Sequence, residues 1–513
     1  MNVNTKRFAI CGAALYDGSG DKPRFADVLV EGERIKAVEA PGVLDLKDTE
    51  VISARSLALA PGFIDVHAHS DTTIIARPNG ESKVSQGVTT DIVGNCGSSA
   101  AVRKKEYMGY QWDDVASYGA AIDSVCPGLN IATLAGHGSI RGVVQGDEDI
   151  PMTDENLKKM RSLLEKSLEQ GAVGFSSGLI YIPGKFSKTE ELLALAPALK
   201  GTRKPYATHM RSEGNQLIEA TQEAIAIAKA GDARLQVSHI KTAGASNWNK
   251  FDTLMATLAQ GRADGLQITA DRYPYIYSRT GLRMTLPEPF NSIPEIVKYL
   301  NAHPEADDEI KALWKKGVKR ANWDRIVLCY TNNNAAHEQY FGLDFVTIGK
   351  KMGKAPEDAY LDILKNATNS QAMYGSMSQE NLERFIQQPW LMPGSDGYAM
   401  GPDYELQHAH PRSFGTFPRF FKFASKYFDY EEIVRRMTSL PASVFNLRER
   451  GRILPGYYAD LVLFDPEWMN AEMDFSNMHK FSTGVLKTFV AGGLAYDRAN
   501  PDYHGRFGRF IKA

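Results

Sequence analysis

The sequence predicts a (β/α)8 TIM barrel that carries an inserted subdomain, with a small β-sandwich domain built from the two ends of the chain. Three observations lead there. Short apolar β-prone runs alternate with helical patterns through the middle of the chain, as a parallel sheet with crossover helices requires. Residues 6–60 and 441–513 share a different texture, short β-rich runs split by turn residues. The runs of the middle region also end repeatedly in His, Cys or Asp, and the ends of barrel strands are where such folds place their chemistry.

The elements follow in order. Arg7–Ile10, Val28–Val30, Arg34–Val38 and Leu57–Ala60 are read as strands, punctuated by Gly12, Asp17-Gly18 and Glu31-Gly32. Ala459–Asp465 and Val485–Val490 repeat the pattern at the far end, so 1–61 and 441–513 are expected to meet in one β-domain. Between them, 62–440 is expected to hold barrel strands at 62–66, 88–93, 131–135, 172–175, 205–209, 235–239, 266–270 and 390–395. Thr153-Asp154-Glu155-Asn156 opens a helix whose apolar residues fall at Leu157, Met160, Leu163, Leu164 and Leu168. A second helix is predicted from Gly214 to Ala230, ended by Gly231. The stretch from about 276 to 389 is too long for a loop. Its charged helical segments, Glu295–Leu300 and Ala306–Lys319, are read as a subdomain over the barrel mouth.

Composition narrows the function. A chain of 513 residues, 43% hydrophobic and with a formal net charge of −2, can bury a large core and lacks the basic surplus of a nucleic-acid binder. No run approaches the roughly 18 apolar residues of a membrane span. Four scattered cysteines do not make a disulfide framework, and with no signal peptide legible the expectation is a reduced, cytoplasmic protein.

The strand ends carry the chemistry. His67 and His69, two apart at the end of the first strand, project from one face and aim at one point. Cys96 follows the second strand, His209 ends the fifth, His239 the sixth, and Asp396 the eighth. Singly, a His here is more often structural, a Cys a small buried hydrophobe, and an Asp before Gly a turn former. Together they converge on one axial cavity, and imidazole and thiolate are the ligands of zinc.

The chain then resembles a known family. Pro61-Gly62-Phe63-Ile64-Asp65-x-His67-x-His69, His209 with His239, and the late Asp396 resemble the amidohydrolase superfamily of metal-dependent barrel hydrolases. Gly94-Asn95-Cys96-Gly97, Gly174 to Tyr181, Thr208-His209-Met210-Arg211, Ser238-His239-Ile240-Lys241, Asp271-x-Tyr273-Pro274-Tyr275 and His410-Pro411-Arg412 resemble its D-aminoacylase (N-acyl-D-amino-acid deacylase) branch, over essentially the whole chain. Many superfamily members carry a carboxylated lysine after strand four. Gly174-Phe175-Ser176-Ser177 offers none, and the branch resemblance gives the bridging role to Cys96.

That resemblance implies a tight Zn²⁺ site of Cys96, His209 and His239, and a weaker second site of His67 and His69, for which Cys96 is a candidate shared ligand. Asp396 is implied as general base and then acid. Lys241, two residues beyond His239 and on the same side of the chain, fits as the anchor of a substrate α-carboxylate. The resemblance adds Tyr181 and Tyr273 as hydroxyl donors to substrate, with Ser278 a weaker candidate, and His137, Arg211, Glu213, His408, His410 and Arg412, in similar motifs, are read as supports for the ligands and loops. Arg279 and Arg283 are candidates for an acidic substrate side chain. The expected reaction is hydrolysis of small N-acyl-D-amino acids. The alternatives are a dipeptidase acting on C-terminal D-residues, a cyclic-amide hydrolase, or a non-enzymatic barrel, the last of which an intact ligand set disfavours.

Overall fold

The computed structural model describes residues 7–318, 322–332, 334–367, 369–406, 409–475 and 477–512. Eight parallel barrel strands run in chain order: β1 (Phe63–Asp65), β2 (Val88–Val93), β3 (Asn130–Thr133, resumed at Ala135–Gly136), β4 (Phe175–Gly178), β5 (Tyr206–His209), β6 (Leu235–Val237), β7 (Ile268–Arg272) and β8 (Leu391–Pro393). Each pairs in parallel with the next. The ring closes just beyond β1 and β8, where Ala68 bridges Gly397, Asp396 N donates to His67 O at 2.7 Å, and His69 N donates to Gly397 O at 2.8 Å. The closing hydrogen bonds are therefore made by candidate site residues themselves.

Four strands depart from their expected bounds. β4 starts at Phe175, because Ala172 N still bonds back to Ser167 O at the end of the preceding helix, and the first bond to the β5 side is Phe175 N to Pro205 O. β7 starts at Ile268, because Leu266 N is held by Gly261 O in the turn that ends the helix before it. β6 and β8 stop short of His239 and Asp396, whose left-handed backbone (φ 34° and 49°) turns each out of its ladder.

Helices pack outside the ring. Thr153 caps α1 (Asp154–Glu169) by accepting from Asn156 N at 3.2 Å, and Met160, Leu164 and Leu168 turn inward as their spacing requires. α2 (Leu217–Ala230) begins three residues after Gly214, because the Ser212 hydroxyl takes the N–H groups of Gly214 and Gln216 in a turn of its own.

The β-rich ends join in one eight-stranded sheet. Its order runs Gly493–Asp497, Val485–Val490, Leu461–Phe464, Ala58–Pro61, Arg7–Leu15, Arg24–Glu31, Arg34–Glu39, with Glu50–Ser53 also paired to Arg7–Leu15. The seam is antiparallel, Leu461 facing Pro61 and Phe464 facing Ala58. Alternation assigns its two faces. Leu59, Leu461 and Leu463 join Phe8, Ile10 and Val28 in a core of their own, while Ala58, Ala60, Val462 and Phe464 join the barrel's main cluster. The last described residues return to the barrel: Arg509 O accepts from Ile131 N, Ile511 N donates to Ile131 O, and Phe510 packs edge-on against Tyr118 at 6.0 Å.

Between β7 and β8, three antiparallel strands (Ser278–Gly281, Ser370–Tyr374, Ile326–Thr331) and helices including Ile296–Ala302, Ala306–Lys315, Phe345–Met352 and Pro356–Lys365 surround a separate apolar cluster with Leu300, Ile310, Leu328 and Tyr360. The strands were not foreseen; their partners lie far apart in sequence and lack a clean polar–apolar alternation. The helix expected over Ala306–Lys319 ends at Lys315, and residues 319–321 lie outside the described ones. Among the described residues no helix is long and apolar enough to cross a membrane.

Candidate metal centre and active site

The strand ends deliver their side chains to one point. Cys96 Sγ lies 3.3 Å from His67 Nε2, 3.5 Å from His239 Nε2 and 3.7 Å from His209 Nδ1. His69 Nε2 lies 3.0 Å from Asp396 Oδ1, which is 3.7 Å from His67 Nε2. All six residues expected at the site thus meet, and they fall into overlapping ligand groups: His67–Cys96–His239, His67–His69–Asp396 and His209–Glu213–His239.

Local backbone makes this convergence possible. Cys96 (φ 53°), His239 and Asp396 all occupy the left-handed region that favours glycine, so each strand end bends sharply and throws its side chain over the barrel mouth. The bends also need room. A Cβ on Gly178 at the end of β4 would stand 2.0 Å from the Cys96 carbonyl oxygen, so only glycine lets β4 pass beneath the cysteine loop.

Electrostatics show what the cluster accepts. Burial would raise the Cys96 thiol, but the charges of His67 and His239 and hydrogen bonds from His209 and His239 hold it well below its usual range, so it is a thiolate. Burial likewise pushes Asp396 up, and Arg412, His69 and His67 more than offset that, keeping it far below the usual carboxylate range. His69 is moved up to about 10, burial opposing and Asp396 and Cys96 prevailing. Buried anions here draw protons onto His67, His69 and His239, while burial keeps His209 below its ordinary range, and a divalent cation supplies positive charge to the same cluster. His209 Nε2 is moreover buried without a hydrogen bond among the described residues. A thiolate and convergent imidazoles, with a spare ring nitrogen, fit zinc.

Behind the ligands stand supports that the sequence reading did not assign. Asp271 Oδ1 accepts from His67 Nδ1 at 3.1 Å and from His239 N at 2.8 Å, while its other oxygen takes the Gln236 amide at 2.8 Å. Below, the fully buried Lys83 donates to Asp65 at 2.6 Å and to Ser395 Oγ at 2.8 Å, and lies 3.4 Å from Asp91. Asp65 in turn holds His67 N and Ser395 N at 3.1 and 2.9 Å, so one buried ion-pair group pins the ends of β1 and β8. A buried lysine between apolar runs reads from sequence as an exposed helix residue; only a charge paired on the barrel axis could betray it.

The other candidates are placed less uniformly. A cavity of about 340 Å³ opens over the centre and is lined by His69, Cys96, Asp396, Tyr181, Arg279 and Arg412, among others. Tyr181 stands edge-on to His209, ring centres 4.8 Å apart, and Arg412 Nη1 reaches Asp396 Oδ2 at 2.8 Å. Lys241 is not in the lining: its ammonium is 2.7 Å from His239 Nδ1 and pairs with Glu213, whose Oε1 also lies 2.9 Å from His239 Nδ1. Tyr273 is wholly buried between the guanidinium groups of Arg272 and Arg412, and Ser278 sits on the strand beside Tyr374; both lie off the cavity wall. Arg279 faces the cavity, whereas Arg283 donates to the carbonyls of Asn291, Ile293 and Pro294. His137 bonds Glu191 at 2.7 Å, Arg211 pairs with Glu223, and His410 packs under Tyr275. His408 lies outside the described residues.

Known proteins share this architecture. A family model described as "Amidohydrolase family" matches residues 50–325 and 399–496. An N-acyl-D-aspartate deacylase of Alcaligenes xylosoxydans xylosoxydans is 31% identical, over 96% of this chain and 92% of its own. An N-acyl-D-glutamate deacylase of the same organism is 30% identical over 98% and 95%. The crystal structure of an N-acyl-D-glutamate deacylase from Bordetella bronchiseptica, complexed with zinc and a phosphonate inhibitor that mimics the tetrahedral intermediate, is 30% identical and superposes with a TM-score of 0.83 over 99% of this chain and 100% of that one.

Proposed function

The chain belongs to the amidohydrolase family as a metal-dependent hydrolase, and from that premise we propose that it uses zinc to hydrolyse the amide bond of N-acyl-D-amino acids, releasing a carboxylate and a free D-amino acid. The observation that carries this reading is the Cys96 thiolate ringed by His67, His209 and His239 at 3.3 to 3.7 Å, facing Asp396 across an open cavity.

Cys96, His209 and His239 would hold the metal tightly, with His67 and His69 forming a weaker second site. When bound, zinc supplies a Lewis-acid charge that polarises the scissile carbonyl and makes water acidic enough to attack near neutral pH. Asp396 takes the proton of the attacking water and returns it to the leaving amine. Arg412 and His69 fix its orientation from opposite sides of the carboxylate. Asp271 keeps His67 in the tautomer that presents Nε2 inward. Tyr181, whose hydroxyl is kept protonated by burial and by the charges of Cys96 and Asp396, is placed to donate to the substrate.

Of the three arginines in the cavity wall, Arg103, Arg279 and Arg412, the last is already paired with Asp396. We assign Arg279 to a carboxylate on the substrate side chain, in line with the activities by which the two curated relatives are named. Lys241, Tyr273 and Ser278 remain candidates for the α-carboxylate, with Lys241 able to serve once it exchanges Glu213 for substrate.

A screen of N-acetyl-D- and N-acetyl-L-amino acids against the zinc-loaded enzyme tests both levels. Turnover is expected on the D-series alone and to be fastest on D-aspartate or D-glutamate derivatives. In Arg279→Ala, kcat/KM on acidic substrates should fall at least ~30-fold, the cost of about 2 kcal/mol for a lost charge-assisted bond, with neutral D-substrates little changed. Hydrolysis confined to L-substrates would overturn the reading; unchanged kinetics on acidic substrates would remove Arg279.

A further inference from the structure

At the other end of the barrel lies a second cavity, of about 470 Å³, lined by Thr202, Arg203 and Lys204 just before β5, Arg234 just before β6, and the segment Ser439–Arg452. Its wall holds six basic side chains and one acid, Glu449, in a chain whose formal net charge is −2. The surplus is therefore local.

The pairing is lopsided. Arg450 is paired with Asp460, Arg452 with Asp17 at 3.1 Å, and Lys204 donates to the carbonyls of Leu168 and Ala172 at 2.7 Å. Glu449 turns to Arg34 at 2.6 Å and neutralises nothing in the cavity. Arg203, Arg234 and Arg448 are left with no acidic partner among the described residues. Arg234 is held only by neutral acceptors, the Gln267 amide oxygen at 2.8 Å and the carbonyls of Ser443 and Val444, and burial together with the field of Arg203 lowers its pKa. The loop is also tied to the opposite wall. Arg203 is fixed in a left-handed turn (φ 60°), its carbonyl accepting from the Asn446 amide at 2.9 Å.

Arg203 and Arg234 bring like charges together while Arg448 lines the same wall, and such a surplus costs free energy unless an anion joins it. We propose that this cavity binds a phosphate group, inorganic or carried on a small ester, between the guanidinium groups of Arg203, Arg234 and Arg448. Guanidinium forks match the tetrahedral oxygens of phosphate in pairs, and a concave wall suits a compact dianion better than an extended polyanion. The site is remote from the metal centre, so its occupancy and the deacylase reaction are separable.

The test is titration of the zinc-loaded enzyme at constant ionic strength with inorganic phosphate and, in parallel, with glycerol 3-phosphate, followed by calorimetry and by the shift in Tm. Both probes address the metal centre too, so the comparison is with Arg203→Ala/Arg448→Ala, two exposed side chains whose loss should leave kcat/KM intact. Saturable binding that weakens about tenfold per guanidinium removed supports the site. Preference for the ester over inorganic phosphate would identify an esterified ligand. No saturable binding by the wild type, or equal affinity in the variant, overturns the proposal. Arg448→Gln alone, which removes the charge but keeps an aliphatic stem and a polar end, should weaken binding in the same direction.

Discussion

Asp271 fixes two ligands with one carboxylate oxygen, accepting from the ring of His67 and the main-chain N–H of His239, and so couples the ends of β1, β6 and β7. Asp271→Asn keeps its shape but can turn a donor toward one partner. Metal affinity is expected to fall 10- to 100-fold, read by competition with a chelator, while turnover at saturating zinc recovers in large part. Asp396→Asn should behave in the opposite way: zinc content stays near that of the wild type and kcat falls by ~10² to 10⁴. Near wild-type turnover in a folded Asp396→Asn protein would remove it as the base. At this scale the sequence was legible where chemistry and position coincide. His67, His69, Cys96, His209, His239 and Asp396 end strands or follow them within a few residues, and the ends of the strands converge on one point. Lys83, Asp65, Asp91 and the role of Asp271 escaped because a buried charge is defined by its partner, and these partners sit on different elements. Lys241 and Tyr273 show the converse. Their motifs were visible, but their side chains are engaged behind the ligands and not at the cavity wall.

Elements were legible in proportion to how local their signals are. The capped α1 matched its prediction nearly to the residue, since Thr153 and an apolar stripe suffice to define it. The three strands between β7 and β8 were missed because each is defined by a distant antiparallel partner. Helix α3 (Val115–Val125) shows how strongly a local cap can act. Asp114 accepts from Ser117 N at 3.1 Å, from Gln170 Nε2 at 2.8 Å and pairs with Lys166 at 2.9 Å, and these bonds, the one from Lys166 foremost, lower its carboxyl below the ordinary value. A depressed folded pKa contributes stability that is fully present above the unfolded value of ~3.9 and is lost as pH falls below it. Asp114→Ala should therefore cost about 1 kcal/mol at pH 7. The gap in Tm between variant and wild type is expected to close as the pH is taken below ~4; a gap independent of pH would assign the loss to packing.

At the scale of the molecule, the barrel is tied to both ends of the chain. Phe510 is buried against Tyr118, and a Cβ on Gly119 would stand 2.5 Å from its ring. Phe510→Ala should cost about 3–5 kcal/mol, visible in chemical denaturation, although the residue lies far from the metal centre; unchanged stability would show that the tail is not part of the cooperative unit. The terminal sheet has a further consequence, in time instead of space. Ala58–Pro61 pairs with Leu461–Phe464, whose synthesis comes about 400 residues later, some 20 to 80 s at ordinary ribosomal rates. Through that interval the N-terminal strands present an unpaired edge, an invitation to aggregation that a nascent chain must outlast or a chaperone must cover. The protein's yield in a foreign host should be set less by its final stability than by how that wait is managed.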